Sequence, residues 1–290
     1  MTEPSSSAPL PTSLLTSLLT CKEMAAFVAH GFLRFDEIVP RELCDAALAE
    51  LTAGFEPTPY RAARDSPEAA WPGQPLATLW RDSPAIGPVL QLPRVAGIVQ
   101  SLLGPGALYD HHYAHVIPPR QRWSQPWHAD AIIDPRRHAF DIQLFFFFHD
   151  TPREAGGTMI LPGSHFRRVN ESDIARTQNF RGQVPTVCPA GTLLVCHHGL
   201  WHCGQPNHTD QPRTMLKLRL GPAVHQSRHF DLRDLDDSAV SETLRAELPW
   251  MGSAEARLEI VHRIKLWRML TGDDRFDIDH WLTRIENQPD

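Results

Sequence analysis

The spacing of apolar and polar positions divides the chain into three regions. Between residues 108 and 220, short apolar runs alternate with turns rich in Pro, Gly, Asn and Asp, a pattern typical of antiparallel strands. A short alternating strand is also predicted at 32–35. Helical spacing of apolar residues occurs at 22–30, 40–53, 94–103 and 254–270. The pattern therefore predicts a mainly β protein with flanking helices and a double-stranded β-helix core, the cupin-like jelly roll.

The same pattern predicts the domain organisation. Residues 1–20, rich in Ser, Thr, Pro and Leu, are expected to form a flexible N-terminal segment. Residues 21–222 form the jelly-roll domain with its N-terminal helices, and 223–290 a C-terminal helical extension that packs on the barrel or on a second subunit. Residues 55–79 are rich in proline and lack a period, which predicts a loop that folds over the site.

Composition and charge restrict the kinds of partner. The net charge is -6 and no run of Lys or Arg is present, which argues against nucleic acid or an anionic membrane. The apolar run 144–148 is too short to cross a bilayer. Five cysteines without a Cys-x-x-Cys motif favour reduced thiols and a cytoplasmic location. We therefore expect a small-molecule substrate and a monomer or homodimer.

The clearest chemical signal is the motif His128-Ala129-Asp130. Side chains at positions i and i+2 of a strand lie on the same face, so His128 and Asp130 can bind one metal ion together. A histidine from a distant strand would complete the 2-His-1-carboxylate triad that is typical of non-haem Fe(II) oxygenases. His202 is one candidate, and His197 and His198 in the preceding strand are the alternatives.

The strand that begins at Arg213 carries an unusual set of cations. Period two places Arg213, Met215, Lys217 and Arg219 on one face. If that face is interior, each cation needs a partner, because an unpaired buried charge is costly. Either the strand has a bulge or an open end, or Lys217 binds an anionic group or a buried carboxylate.

Two further strands carry polar residues of uncertain role. The run Phe145–Phe148 indicates a strand that is buried on both faces. Gln143 shares a face with Phe145 and would need a polar partner inside the barrel, for which a co-substrate carboxylate is a candidate. His115 alternates with Tyr113 on an earlier strand and either contacts substrate or is partly exposed.

With these motifs in view, residues 24–222 resemble the phytanoyl-CoA dioxygenase family of Fe(II)- and 2-oxoglutarate-dependent enzymes. The matching features are the His-x-Asp motif, a Pro-Gly-Ser-His turn, a glycine-initiated strand leading to His and Asn, and the arginine that follows. In this chain they are His128 and Asp130, Pro162–His165, Gly191–Asn207, and Arg213. The chain departs from the family pattern at Thr192, where Asp is frequent, and at Gly204, where Ser is frequent.

The resemblance implies a ligand set and two cofactors. It implies that His128, Asp130 and His202 hold Fe(II), that Arg213 holds the distal carboxylate of 2-oxoglutarate, and that O2 is the oxidant. It leaves His197 as a packing residue. Further candidates are Gln143 and Thr158 for the co-substrate, and Trp127, His115 and Lys217 for the substrate.

The implied activity is oxidation of an unactivated C–H bond of a small-molecule metabolite, with secondary metabolism as a candidate setting. Hydroxylation is the expected outcome, and desaturation or cyclisation is the alternative. Halogenation is not expected, because the Asp130 carboxylate leaves no metal position free for a halide. Two other classes are a non-catalytic cupin-like metal-binding barrel and a zinc-dependent hydrolase. Neither class needs a buried cation such as Arg213.

Overall fold

The structure is a computed structural model that describes residues 17–52, 72–80, 83–130, 139–167 and 171–280. The helices are α1 Cys21–His30, α2 Arg41–Thr52, α3 Ile86–Gln91, α4 Pro93–Leu103, α5 Glu171–Ala175, α6 Ser238–Arg245 and α7 Ser253–Thr271. The strands are β1 Phe32–Phe35, β2 Leu108–Ile117, β3 Ile142–Phe147, β4 Thr158–Ile160, β5 Val184–Pro185, β6 Thr192–His197, β7 His202–Gly204 and β8 Arg213–Gly221.

Two antiparallel sheets form the barrel. The larger has the strand order β1-β6-β3-β8-β2 and the smaller the order β5-β4-β7. An isolated bridge between His128 and His202 joins the His-x-Asp segment to the edge of the smaller sheet. Strand β3 lies at the centre of the larger sheet and is buried along its whole length, as its phenylalanine run predicts. This arrangement is mainly β with flanking helices, in agreement with the predicted fold class.

The helices cover the outer face of the larger sheet. Period two sends Leu144 and Phe146 of β3 outward into a core that they share with Phe27 of α1 and Ile98 of α4. Apolar side chains on this face are removed from water on both sides of the interface, which is the main stabilising contribution to such a layer. The site is therefore built on the opposite, inward face.

Helix α1 begins and ends where its sequence requires. Thr20 and Glu23 form a capping box at its start. Gly31 ends it with φ 77°, and a Cβ at that position would lie 2.4 Å from Nδ1 of His165. Just before α1, Leu19 is fully buried and its N–H donates to Oγ of Ser101. Residues 17–20 are thus ordered, whereas 1–16 of the predicted flexible segment lie outside the described residues.

The C-terminal extension packs on the same chain. Helices α6 and α7 both contact α1, and Trp267 of α7 is fully buried. Helix α7 ends at Gly272 in the left-handed region, as the sequence predicts. Helices α3 and α6 were not individually predicted, because α3 is six residues long and includes Pro88, and α6 has eight residues. No helix in the described part of the chain is both long and apolar enough to span a membrane.

The predicted proline-rich loop at 55–79 is described only from residue 72 onward. There it pairs with the edge of the larger sheet, through the bridge of Pro75 with Leu108 and the hydrogen bond from Gly73 N to Tyr109 O. A 3-10 turn follows at Leu76–Thr78. Its remaining part, 55–71, lies outside the described residues.

Candidate metal centre and its pocket

His128, Asp130 and His202 come together at the junction of the two sheets. Their candidate ligand atoms all lie within 4.8 Å of one another, and no other such group of His, Cys, Asp or Glu occurs in the described ranges. Nε2 of His128 lies 3.9 Å from Oδ1 of Asp130, and Nε2 of His202 lies 3.5 Å from Oδ2. The three side chains that the sequence motifs indicated are therefore adjacent in space.

Backbone carbonyls fix the orientation of both imidazoles. Nδ1 of His128 lies 2.9 Å from the Pro126 oxygen, and Nδ1 of His202 lies 2.9 Å from the Leu200 oxygen. A carbonyl oxygen only accepts, so each Nδ1 carries the proton and donates. The lone pair is thereby left on Nε2, the atom that faces Asp130. Burial also lowers the pKa of His202 to about 4, which keeps this imidazole neutral near pH 7. Two imidazole nitrogens and a carboxylate are the donor set that suits Fe(II) in a facial triad.

Asp130 has a further partner that completes its surroundings. Nζ of Lys217, in the middle of β8, contacts Oδ2 of Asp130. Burial acts to raise the pKa of the Asp130 carboxyl, but His202, Lys217 and His128 together outweigh it and hold that pKa well below its usual range. The carboxylate is thus ionised and available as a ligand.

The three residues open onto a cavity of about 360 Å³ between the sheets. Its walls combine apolar and polar side chains from β2, β3, β4, β7 and β8. The lining residues beside the three candidate ligands are Tyr113, His115, Ile117, Gln125, Phe145, Thr158, Gly204, Arg213, Met215 and Lys217. The volume is within the range of ordinary small-molecule sites.

Arg213 lies in this cavity as a buried cation with no carboxylate partner among the described residues. Its Nη1 donates to the backbone oxygens of Ala155 and Gln205, at 2.7 and 2.9 Å. Burial lowers the pKa of its guanidinium to about 10, so it stays charged near pH 7. Gly156 permits the close approach, because a Cβ there would lie 2.7 Å from Nη1. A positioned guanidinium of this kind suits a carboxylate ligand.

The other cations of β8 have partners within the protein. The face predicted for Arg213, Met215 and Lys217 does line the cavity. Arg219 lies one step further on and pairs with Asp141 at 2.8 Å and with Asp110 at 3.1 Å. The buried carboxylate proposed for Lys217 is Asp130.

A family model described as Phytanoyl-CoA dioxygenase (PhyH) matches residues 27–215. The chain belongs to the phytanoyl-CoA dioxygenase family. The match includes the His-x-Asp motif, His202 and Arg213, and it ends within β8.

Individual relatives are more distant. The uncharacterized protein Rv1501 of Mycobacterium tuberculosis (strain ATCC 25618 / H37Rv) is 25% identical over 173 residues, which cover 58% of this chain and 62% of the relative. Among solved structures, the epimerase SnoN in complex with Fe3+, alpha ketoglutarate and nogalamycin RO shares 18% identity, with a TM-score of 0.54 and coverage of 70% and 83% of the two chains. EctD from S. alaskensis with 2-oxoglutarate and 5-hydroxyectoine shares 19%, with a TM-score of 0.53 and coverage of 76% and 79%. Both show the same jelly-roll fold.

The side chain of Gln125 lies next to Gly204, the position at which the resemblance to the phytanoyl-CoA dioxygenase family predicts Ser. Gly204 N donates to Oε1 of Gln125 at 3.0 Å, and a Cβ on Gly204 would lie 2.9 Å from that oxygen and 3.7 Å from Nη2 of Arg213. The missing serine thus makes room for an amide beside the arginine. Sequence reasoning missed Gln125, and the departure at Gly204 was the signal that pointed to this position.

The remaining histidines of the family motifs are packed rather than directed at the metal centre. His197 stacks on Phe140 and on His198, with ring centroids 5.3 and 4.5 Å apart. His165 of the Pro-Gly-Ser-His turn is buried against Gly31, and its Nε2 donates to Val28 O at 3.2 Å. The position of His197 agrees with its expected packing role, and His165 connects the Pro-Gly-Ser-His turn to α1.

Two candidates lie away from the cavity. Gln143 is opposite Arg219 in the sheet register, six residues from Arg213 along β8, or about 20 Å at the rise of a strand. One five-carbon diacid cannot contact both, so the position of Gln143 contradicts its expected co-substrate role. Trp127 is buried against Phe180 and is not among the residues that line the cavity.

Thr158 and His115 do line the cavity. Oγ1 of Thr158 lies 3.7 Å from Sδ of Met215, close to the Arg213 end of β8. His115 faces Met215 across β2 and β8, and burial lowers its pKa to about 4, so its ring is neutral near pH 7. Both side chains are therefore next to the space that an organic ligand could occupy.

Proposed function

We propose that this protein is a non-haem Fe(II)- and 2-oxoglutarate-dependent oxygenase that oxidises a C–H bond of a small organic molecule. One observation carries the proposal: the cavity contains two histidines with Nε2 directed at Asp130 and, on β8 of the larger sheet, a buried arginine without a carboxylate partner among the described residues. A zinc hydrolase would account for the three ligands but not for Arg213.

The metal would be held by Nε2 of His128, a carboxylate oxygen of Asp130 and Nε2 of His202. Bound Fe(II) would supply the redox chemistry by which O2 converts 2-oxoglutarate to succinate and oxidises the substrate. The protein's own contribution is to hold the ligands in one tautomer, to bind both organic molecules and to exclude water.

The co-substrate is assigned to the end of the cavity near Arg213. The guanidinium would bind the 5-carboxylate of 2-oxoglutarate. Gln125, which is bonded to Gly204 of β7, and Thr158 of β4 line the same cavity. The two backbone hydrogen bonds of Nη1 hold the arginine in place, so less conformational entropy is lost on binding.

The substrate is assigned to the other end, towards Lys217, where Tyr113, His115 and Phe145 line the cavity. Lys217 is the one cation among the described lining residues at this end, so a polar or anionic group of the substrate would bind there. We propose hydroxylation as the outcome, with desaturation or cyclisation as the alternative. SnoN, an epimerase that binds Fe3+ and alpha ketoglutarate, shows that this fold also hosts a different outcome.

The proposal is tested by coupling oxygen consumption to succinate formation. Purified protein with Fe(II), 2-oxoglutarate and candidate metabolites should release succinate in a substrate-dependent manner, and His202→Ala should not. The product mass separates the outcomes, since oxygen insertion adds an oxygen atom while desaturation or ring closure removes two hydrogens. Succinate release that persists in His202→Ala, or a chlorinated product, would contradict the proposal.

A further inference from the structure

Lys217 is placed unusually for a lysine. Its side chain is 7% exposed, in the middle of β8 and at the centre of the larger sheet's inward face. The β-strand register surrounds it with Tyr113 on one side and Phe145 on the other. Lysine seldom occupies such a position without a charged partner. Here that partner is Asp130, one of the three candidate metal ligands.

The contact uses the oxygen of Asp130 that faces the metal centre. Oδ2, which accepts from Nζ of Lys217, is also the oxygen 3.5 Å from Nε2 of His202. A metal ion held between His202 and Asp130 would lie close to the same oxygen. Two cations that share one carboxylate repel each other, and the effect is large in a buried site with a low effective dielectric.

We propose that Lys217 competes with the metal ion for Asp130. Its ammonium balances the charge of the Asp130 carboxylate when no metal is bound. The inference rests on the metal site of the proposed function and adds a residue to it that is not a ligand. Lys217 holds the Asp130 carboxylate in place before the metal binds. Metal binding then weakens the lysine's own ion pair, which leaves a buried ammonium free to attract an anionic group of the substrate.

Competition between Lys217 and the metal ion predicts that removing Lys217 changes the metal affinity in the opposite direction from removing an ordinary supporting residue. Groups that orient a metal ligand by hydrogen bonding strengthen metal binding, and their loss typically weakens it by roughly 10–100-fold. Lys217 also orients Asp130, but it brings a full positive charge next to the metal position. Replacing it with a neutral side chain should therefore tighten metal binding.

The test uses Mn(II) alone, a redox-stable divalent probe, without 2-oxoglutarate. Binding is followed by loss of the free Mn(II) electron paramagnetic resonance signal, in wild type, Lys217→Met and Lys217→Arg. Arg219→Met is the matched control, because it removes a carboxylate-paired cation from the same face of β8 that neither lines the cavity nor contacts Asp130. Thermal unfolding with a chelator or with Mn(II) provides an independent readout.

Lys217→Met should bind Mn(II) at least about tenfold more tightly than wild type, which is about 1.4 kcal/mol. Without metal it should unfold at a lower temperature, since Asp130 loses its counter-cation, and Mn(II) should raise that temperature by more than in wild type. Lys217→Arg should bind about as weakly as wild type, and Arg219→Met should stay within about twofold.

Unchanged or weaker Mn(II) binding by Lys217→Met, with normal binding by wild type, would overturn this inference and leave the proposed function standing. If Lys217→Met does not fold, the same comparison is made with Lys217→Gln. Absence of Mn(II) binding in wild type and variant alike would instead contradict the metal site itself.

Discussion

Local contacts distinguish the candidate metal ligand His202 from the packed histidine His197. His202 is tied through Nδ1 to the Leu200 oxygen, and its Nε2 faces Asp130. His197, five residues earlier, is stacked on Phe140 instead. We expect His202→Ala to lose metal binding, whereas His197→Ala should keep it and lose stability through the missing ring contacts. Mn(II) titration and thermal unfolding of both variants measure this. Metal binding that is lost in His197→Ala and kept in His202→Ala would reverse the assignment.

Arg213 gives a second prediction at the scale of one residue. Arg213→Lys keeps the charge but loses the planar fork and the two backbone hydrogen bonds that orient it. The affinity for 2-oxoglutarate should fall by about tenfold or more, or about 1.4 kcal/mol per factor of ten. Affinity for the metal alone should stay the same. Both are measured by titration under anaerobic conditions, and an unchanged 2-oxoglutarate affinity would mean that another residue holds the distal carboxylate.

At the scale of elements, the end of α1 depends on a close approach between Gly31 and His165. Gly31 and Gly73 both have positive φ, 77° and 89°, so an alanine at either position is strained. A Cβ at Gly31 would also clash with Nδ1 of His165 at 2.4 Å, whereas nothing lies within 4 Å of one at Gly73. We expect Gly73→Ala to cost about 1–2 kcal/mol and Gly31→Ala to cost about 1–3 kcal/mol more. Chemical denaturation measures both, and equal losses would show that the contact with His165 is unimportant.

Helix α7 carries a buried glutamate that should make stability depend on pH. Glu259 is buried beside Arg167, whose Nε lies 3.2 Å from Oε1. Burial raises the pKa of Glu259 from 4.5 to about 7, although Arg167 and Arg263 oppose the shift. Because the folded-state pKa is the higher one, the stability from this group is fully present below about pH 4.5 and is lost as the pH rises towards 7.

The loss amounts to at most about 3 kcal/mol, at 1.36 kcal/mol per pKa unit. Glu259→Gln should therefore show a smaller fall in stability between pH 5 and 7.5 than wild type, as measured by chemical denaturation across that range. Glu255→Gln, on the exposed first turn of the same helix, is the control and should follow wild type. The same pH dependence in all three proteins would contradict the assignment.

The elements show what could be predicted from the sequence and what could not. Long periodic segments such as α1, α4 and α7 were predicted close to their observed bounds, because their apolar faces repeat over several turns. Period two alone predicted that Arg213, Met215 and Lys217 share one face of β8, and the structure shows that this face lines the cavity. The partner of Lys217 could not be chosen, since it depends on how the segment of Asp130 folds back onto β8.

Across the whole molecule, contacts between distant parts of the chain explain which predicted site residues lie together and which do not. His128, Asp130, His202 and Arg213 were found because their spacing carries a family pattern. Gln143 was misplaced because its distance from Arg213 depends on the pairing of β3 with β8, which period two does not give. Gln125 was missed because it lies in a segment without regular structure, and only the absent side chain of Gly204 marks its place.

The most direct test of the central claim is whether one cavity binds Fe(II) and 2-oxoglutarate together. Under anaerobic conditions, adding both to wild-type protein should produce a weak visible charge-transfer band that neither produces alone. Asp130→Ala should abolish the band, and Arg213→Met should shift its appearance to higher 2-oxoglutarate concentration. A wild-type protein that binds Fe(II) but shows no band at saturating 2-oxoglutarate would contradict the account.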